Sequence, residues 1–300
     1  MNFSTKQYFK KAEEGNYAIG QFNCSSADQV KAVILVAQKL NAPVIVGTSE
    51  GESKFMGLRQ AVKLVESYQE ETGLPIILNA DHTYKDAKDI QNLDKIKALL
   101  DAGYNSIHFD GSVLPYQENV KWTSEVVKMC KEKNPDISVE GELGFLPGAS
   151  KVSKEKLEFK EEYFTDPEKA LEFVKVTGVD RLAVSVGNSH GISADEPKLD
   201  FDRIAKINEK VRDYAVLVLH GGSGIPDEDI KKAILLGIRK INVNTELRAA
   251  FTIALKDYFI KNPEETTPYK YLQASIDAMQ KVVENKIIVF GSGGKAGSSF

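Results

Sequence analysis

Short runs of β-branched and aliphatic residues alternate with longer amphipathic stretches from one end of the chain to the other. Eight runs read as strands: residues 17–23, 44–47, 76–79, 106–109, 137–142, 181–186, 216–219 and 240–243. They recur roughly every 25 to 45 residues, the length of one strand–helix unit. The stretches between them carry helix punctuation. Ser26 opens a Ser-x-x-Gln capping box that leads into residues 30–40. Asp166, Pro167 and Glu168 place an N-cap before a proline at the first helical position, and Gly178 closes that helix. Eight strands alternating with helices predict a closed parallel (β/α)8 TIM barrel, an α/β fold formed by residues 1–300 as one catalytic domain. A doubly wound open sheet is the competing topology. It would want a glycine-rich dinucleotide turn after the first strand, whereas Phe22-Asn23-Cys24-Ser25-Ser26 stands there.

Two segments break the rhythm. Residues 145–164 are long and rich in Lys and Glu, and a loop of that length reads as a lid. Residues 291–300 are rich in Gly and Ser and read as a flexible tail.

Composition narrows the function classes. A net charge of −4 argues against a nucleic-acid partner, which requires a basic patch. The first eleven residues lack the apolar core of a signal peptide, and the longest apolar run, residues 32–37, is too short to span a bilayer. Cys24 and Cys130 form no disulfide framework and read as free thiols, so a cytoplasmic protein is expected.

The chemistry-bearing residues gather at the C-terminal ends of the strand-like runs, where barrels of this kind place their active sites. The chain has four histidines, and His82, His190 and His220 each fall at such an end. Imidazole is a preferred zinc ligand, and three protein ligands with one open position is the usual catalytic arrangement. Asp81 beside His82 is placed either for proton transfer or to orient an imidazole. His108 lies inside the fourth strand and reads as a core residue, while Asp110, two positions on, can anchor its loop or serve a ligand. Glu140 and Glu142 share one face of the fifth strand, so both must be paired or liganded if that face is covered. His220-Gly221-Gly222-Ser223-Gly224 after the seventh strand and Asn242-Val243-Asn244-Thr245 after the eighth form a pair of phosphate-binding loops, where backbone N–H groups meet an anion.

Taken in order, Ala80-Asp81-His82, Phe109-Asp110-Gly111-Ser112, residues 139–144, Gly187-Asn188-Ser189-His190-Gly191, residues 219–224 and residues 241–245 resemble the class II, metal-dependent fructose-bisphosphate and tagatose-bisphosphate aldolases over the whole chain. The resemblance implies zinc on His82, His190 and His220, Asp81 as the acid/base residue, and Asp110 and Glu142 as an alternative resting place for the metal. It implies substrate contacts from Asn23, Ser49, Gly191, Gly221, Gly222, Ser223, Asn242, Asn244 and Thr245. It further implies a monovalent cation (Na+ or K+) by the phosphate and a homo-oligomer, dimer or tetramer. The implied reaction is reversible cleavage of a ketose 1,6-bisphosphate to dihydroxyacetone phosphate and an aldehyde phosphate, a step of carbohydrate metabolism such as glycolysis.

Three departures from the family pattern stand out. The acid that exchanges the carbon-bound proton is replaced by Pro147-Gly148-Ala149-Ser150-Lys151. One of the loop carboxylates Glu155, Glu158, Glu161 and Glu162 is the candidate substitute, with Glu158 preferred; Lys151, Lys154 and Lys156 there can attract an anionic substrate. Lys256 aligns with the arginine that grips the far phosphate. Ile192-Ser193-Ala194 replaces the Tyr-Lys pair of many fructose-type members and leans toward the tagatose-type branch. Competing readings are a metal-dependent hydrolase, a non-catalytic sugar-phosphate-binding barrel with a zinc site, and a Schiff-base aldolase; the last needs an inward strand lysine, and residues 182–186 have none.

Overall fold

A computed structural model describes residues 4–84, 90, 93–153, 156–194 and 197–297. Eight parallel strands close into a barrel in the order β1 (Ile19–Asn23), β2 (Val44–Ser49), β3 (Ile76–Thr83), β4 (Ser106–Phe109), β5 (Ser138–Leu143), β7 (Arg181–Val184), β9 (Val216–Leu219) and β10 (Ile238–Val243), with β10 pairing back onto β1. These are the eight predicted runs, with 106–109 and 216–219 unchanged and the ends of the others shifted. The larger shift is in β3, which continues four residues beyond Asn79 and so holds Asp81 and His82 within the strand.

Helices cover the outside: α1 (Thr5–Gly15), α2 (Ala27–Lys39), α3 (Glu50–Met56), α4 (Leu58–Thr72), α5 (Asp94–Ala102), α6 (Tyr116–Lys133), α7 (Pro167–Thr177), α8 (Phe201–Val211), α9 (Asp227–Leu235), α10 (Thr245–Lys261) and α11 (Pro268–Val289). In α7 the Asp166 carboxylate accepts from the Glu168 and Lys169 N–H groups, as the sequence pattern requires. At α2 the box is only half formed: Ser26 accepts from Gln29 N–H, but the Gln29 side chain turns back to Ser25. The complete capping box is at α3, between Ser49 and Glu52.

The main core lies between the strands and the helix ring; every residue of β1, β3 and β5 is buried. A second cluster of Tyr8, Phe9, Ala12, Tyr17, Ile19, Ile45 and Ile77 plugs the opposite end of the barrel from the strand C-termini. The tail read as flexible packs there through residue 297: Gly294 N–H donates to the Leu40 carbonyl and Ala296 N–H to that of Asn41. Residues 298–300 of that tail lie outside the described residues.

At this stable end Asp180 accepts from Val139 N–H at 2.8 Å and pairs with Lys131 at 2.7 Å and Lys6 at 3.0 Å. Burial opposes its charge, but Lys131 and Val139 N–H outweigh it and hold the carboxyl below its ordinary 3.8. A depressed carboxyl stabilises the fold above that value, and the contribution fades as pH falls through it. Asp180→Ala is therefore expected to cost about 1–3 kcal/mol at neutral pH, because Val139 N–H and Lys131 lose their acceptor. Urea unfolding of both proteins at pH 7 and pH 3 checks this; an equal gap at the two pH values refutes the electrostatic part.

Candidate active site

Three imidazoles meet over the C-terminal mouth of the barrel. His82 comes from β3, His190 from the first position of β8 (His190–Ile192), and His220 from the residue after β9. His82 Nε2 lies 3.2 Å from His190 Nε2 and 3.0 Å from His220 Nδ1. Ligand nitrogens around a tetrahedral ion at ~2.0–2.1 Å stand about 3.3 Å apart, so each of these two contacts to His82 has the spacing of neighbouring ligands on a small divalent cation.

The outer ring nitrogens are held as well. Asp110 Oδ2 faces His82 Nδ1 at 2.9 Å, and Glu140 Oε1 faces His220 Nε2 at 2.8 Å. A carboxylate on the far nitrogen fixes the tautomer and leaves the other nitrogen for a metal. His82 has φ +49, a left-handed conformation rare for a side-chain-bearing residue, beside an irregularity in the β3–β4 register. Its N–H donates to His108 Nδ1 at 3.1 Å. Such strain persists where the surroundings over-determine it.

His108 is fully buried, as its position inside β4 suggests, and its Nδ1 is engaged by His82. Burial alone lowers its pKa, but Asp81 and Glu142 push it up to about 10. Glu142 Oε2 stands 3.1 Å from His108 Nε2 and 3.8 Å from His82 Nδ1. Asp110, Glu142 and His82 thus form one group close enough to hold an ion, and Asp81, His82, His108 and His220 form another. Asp110 also accepts from Ser112 N–H and Oγ–H, so it both anchors its loop and faces His82.

Asp81 is buried beside the histidines. Its Oδ2 accepts from Asn23 Nδ2 at 2.9 Å and its Oδ1 from Asn242 Nδ2 at 3.2 Å. Burial opposes its charge, yet His82, His108 and His220 hold it well below the usual carboxylate range.

The cavity at this mouth is lined by Asn23, Asp81, His82, Ser150, His190, Gly191, His220, Gly221, Ser223, Asn242, Asn244 and Thr245. Gly222 is held against β10 by its N–H bond to the Asn242 carbonyl. Gly221 at φ +65 and Gly191 at φ +89 have no room for a Cβ against the Ser189 and the Ala149 and Lys151 carbonyls. Glycine is thus required where the two loops close on one another. Asn242 Oδ1 and Asn244 Oδ1 are buried and unpartnered among the described residues, as acceptors that await a ligand should be.

Two expectations are corrected. Lys256 is exposed, eleven residues along α10 from Thr245, roughly 16 Å of helical rise away from its own site. The segment 145–164 covers the mouth with β6 (Gly148–Val152), which pairs with β8 and contributes Ser150, pinned through its carbonyl by Arg248. Its described carboxylates do not join the cavity: Glu158 and Glu162 are exposed, and Glu161 is exposed and pairs with Arg203; Glu155 and Lys154 lie outside the described residues.

Two groups escaped the sequence reading. Lys240 is an inward, fully buried strand lysine on β10, outside the run 182–186 that lacks one. It is bonded to both oxygens of Glu140, at 3.0 and 2.7 Å, and does not line the cavity. Glu52 on α3 faces Asn23 and Asn244; its spacing from Ser49 as a capping box was the signal available.

The family model of class-II fructose-bisphosphate aldolases matches residues 3–295. Among solved structures, the chain is 32% identical to the YdjI aldolase from Escherichia coli K12, covering 97% of this chain and 98% of that one at a TM-score of 0.82. It is 26% identical to a putative fructose-1,6-biphosphate aldolase from Coccidioides immitis, covering 98% of each chain, also at 0.82. A fructose-bisphosphate aldolase (Fba) from Campylobacter jejuni, 24% identical over 96% of this chain and 94% of that one, shares the fold at 0.80.

Proposed function

The chain belongs to the class-II fructose-bisphosphate aldolase family, which makes it a carbon–carbon lyase, and we propose that it reversibly cleaves a ketose 1-phosphate to dihydroxyacetone phosphate and an aldehyde with zinc as its metal. The observation that carries this reading is that His190 Nε2 and His220 Nδ1 each stand at a ligand-to-ligand distance from His82 Nε2, beside a buried carboxylate, Asp81. His82, His190 and His220 would hold the zinc, with the ring orientations of His82 and His220 kept by Asp110 and Glu140. When bound there, zinc supplies a Lewis acid for the ketone and the charge that develops on it.

The remaining work falls to the chain. Gly221, Ser223, Asn244 and Thr245 offer main-chain and hydroxyl donors to the phosphate, with Gly222 holding their loop against β10. Asn23 and Asn242 aim the Asp81 carboxylate, which takes the proton of the hydroxyl whose carbon becomes the aldehyde. Gly191, with β6 above it, limits the entry of water. The ketose 1,6-bisphosphates implied by the resemblance belong to this substrate class but carry a second phosphate, for which Lys256 of the same chain is out of reach. A monovalent cation (Na+ or K+) beside the phosphate, a homo-oligomer and a cytoplasmic setting complete the reading. Among the described residues no helix is long and apolar enough to cross a membrane.

Protein purified without chelator is expected to carry about one zinc per chain and to cleave at least one member of a ketose 1-phosphate panel. Chelation should abolish cleavage and zinc should restore it. His190→Ala should lose most of the metal. Binding of sugar phosphate without any cleavage, with zinc in place, would instead establish the non-catalytic barrel.

A further inference from the structure

The residues lining the site divide into two walls of opposite character. On one side, the glycine loop after β9 and the start of α10 present N–H and O–H donors suited to the substrate's own phosphate. On the other side, beyond Asp81, Asn23 and Asn244 line the cavity with Ser49 and Glu52 behind them, and the side-chain amides of both asparagines turn to carboxylates. Asn23 Nδ2 donates to both Glu52 Oε2, at 3.0 Å, and Asp81 Oδ2, at 2.9 Å. Ser49 N–H donates to Glu52 Oε2 at 2.8 Å. Asn244 Nδ2 faces Glu52 Oε1 at 3.4 Å, and its buried Oδ1 is an acceptor without a partner among the described residues.

Among the described residues, Lys54 and Lys95 on this flank line a neighbouring cavity of about 460 Å³ that Asp81 also borders, where Lys95 pairs with Glu50 at 2.9 Å. Lys256, the cation that the sequence offered for a far phosphate, is roughly 16 Å down α10. This wall therefore presents a carboxylate and amide acceptors. A phosphate dianion brings only negative charge and further acceptors to it, whereas a hydroxyl brings the donor that these atoms lack.

We propose that Glu52 sets the specificity of the aldehyde end: it selects a ketose 1-phosphate whose far terminus carries hydroxyl groups and turns away one that carries a second phosphate. The substrate's tail, leaving the carbon served by Asp81, meets Glu52 Oε1 and Asn244 Oδ1 as hydroxyl acceptors. Burial and the nearby Asp81 raise the Glu52 pKa, while Ser49 and Asn23 favour its ionised form, so the carboxylate is held in place by the same bonds that aim it. The inference rests on the aldolase reading above and narrows its substrate class.

The test compares kcat/KM for fructose 1-phosphate and fructose 1,6-bisphosphate in the zinc-loaded wild type, Glu52→Gln and Lys256→Ala. A ratio within one protein cancels losses in folded fraction or metal content. Solvent exchange of the carbon-bound proton of dihydroxyacetone phosphate, which needs no aldehyde, is measured alongside. The wild type should favour the monophosphate by about 10-fold or more, and Glu52→Gln should move the ratio toward the bisphosphate by about 10–100-fold, the effect of removing one close like charge. Lys256→Ala should not move it. If exchange proceeds but the wild type prefers the bisphosphate, or only Lys256→Ala shifts the ratio, the role of Glu52 is overturned while the aldolase reading stands. If zinc-loaded wild type neither exchanges nor cleaves, both fall together.

Discussion

Asp81→Asn is expected to lower cleavage turnover by roughly 10²–10⁴, the usual loss when a general acid/base is removed, while zinc stays bound. Both Asp81 oxygens are committed, to Asn23 and to Asn242, and neither accepts from a main-chain N–H that folding depends on. Replacing one oxygen by an NH2 group sets donor against donor, a cost of about 1–3 kcal/mol, so thermal unfolding is measured with activity. The depression of the Asp81 pKa comes from His82, His108 and His220 around it; histidines that bind a metal must be neutral, and the positive charge at that place is then the ion's. Asp81 serves the hydroxyl proton on the aldehyde carbon, not the carbon-bound proton of the donor. Dihydroxyacetone phosphate should therefore still exchange its proton in the variant when cleavage is nearly gone. Borohydride with substrate should trap no adduct on Lys240, whose ammonium is bonded to both oxygens of Glu140. Cleavage at the wild-type rate, or activity lost only in proportion to zinc, would remove Asp81 from the chemistry.

What the sequence disclosed follows from what each residue signals locally. Strands such as 106–109 and 216–219 are short apolar runs with fixed neighbours, and their boundaries came out unchanged. Histidines at strand ends point to one place because a parallel barrel brings every strand C-terminus to one rim. Residues whose meaning depends on closure were opaque. Glu140 was legible as a carboxylate in need of a partner, but Arg181 and Lys240 each look like a surface charge, and only the joining of β5, β7, β9 and β10 sets them beside it in the interior. Asp81 and His82 looked like a loop after Asn79 because apolar periodicity stops there, although the hydrogen-bonded strand runs on to Thr83. Glu158 and Lys256 were chosen by chain position and charge. The path of 145–164 along β8 leaves the first exposed, and helical rise carries the second away. Glu52 looked like an ordinary acid in a helix's first turn until β1 and β2 were side by side.

Glu140→Gln is expected to be among the most damaging single changes to both stability and metal affinity, by two separable routes. The carboxylate is fully buried and contacts Lys240 through both oxygens, Arg181 at 2.9 Å and His220 at 2.8 Å. Burial opposes its charge, and Lys240, His220 and the neighbouring cations hold it well below the usual carboxylate range. Neutralising it leaves two cations in the barrel interior with no anion between them, a loss of about 3–5 kcal/mol. Separately, a glutamine facing His220 Nε2 no longer dictates which ring nitrogen carries the proton, and a lost partner of this kind weakens metal binding by about 10–100-fold. Adding Lys240→Met to Glu140→Gln removes one of the stranded cations and should recover part of the stability. It should not recover metal affinity, because His220 still lacks its carboxylate. Denaturant unfolding of the metal-free proteins and zinc competition with a chromophoric chelator read the two quantities independently. If the double variant regains both together, the weak metal binding comes from a loosened barrel and not from the orientation of His220.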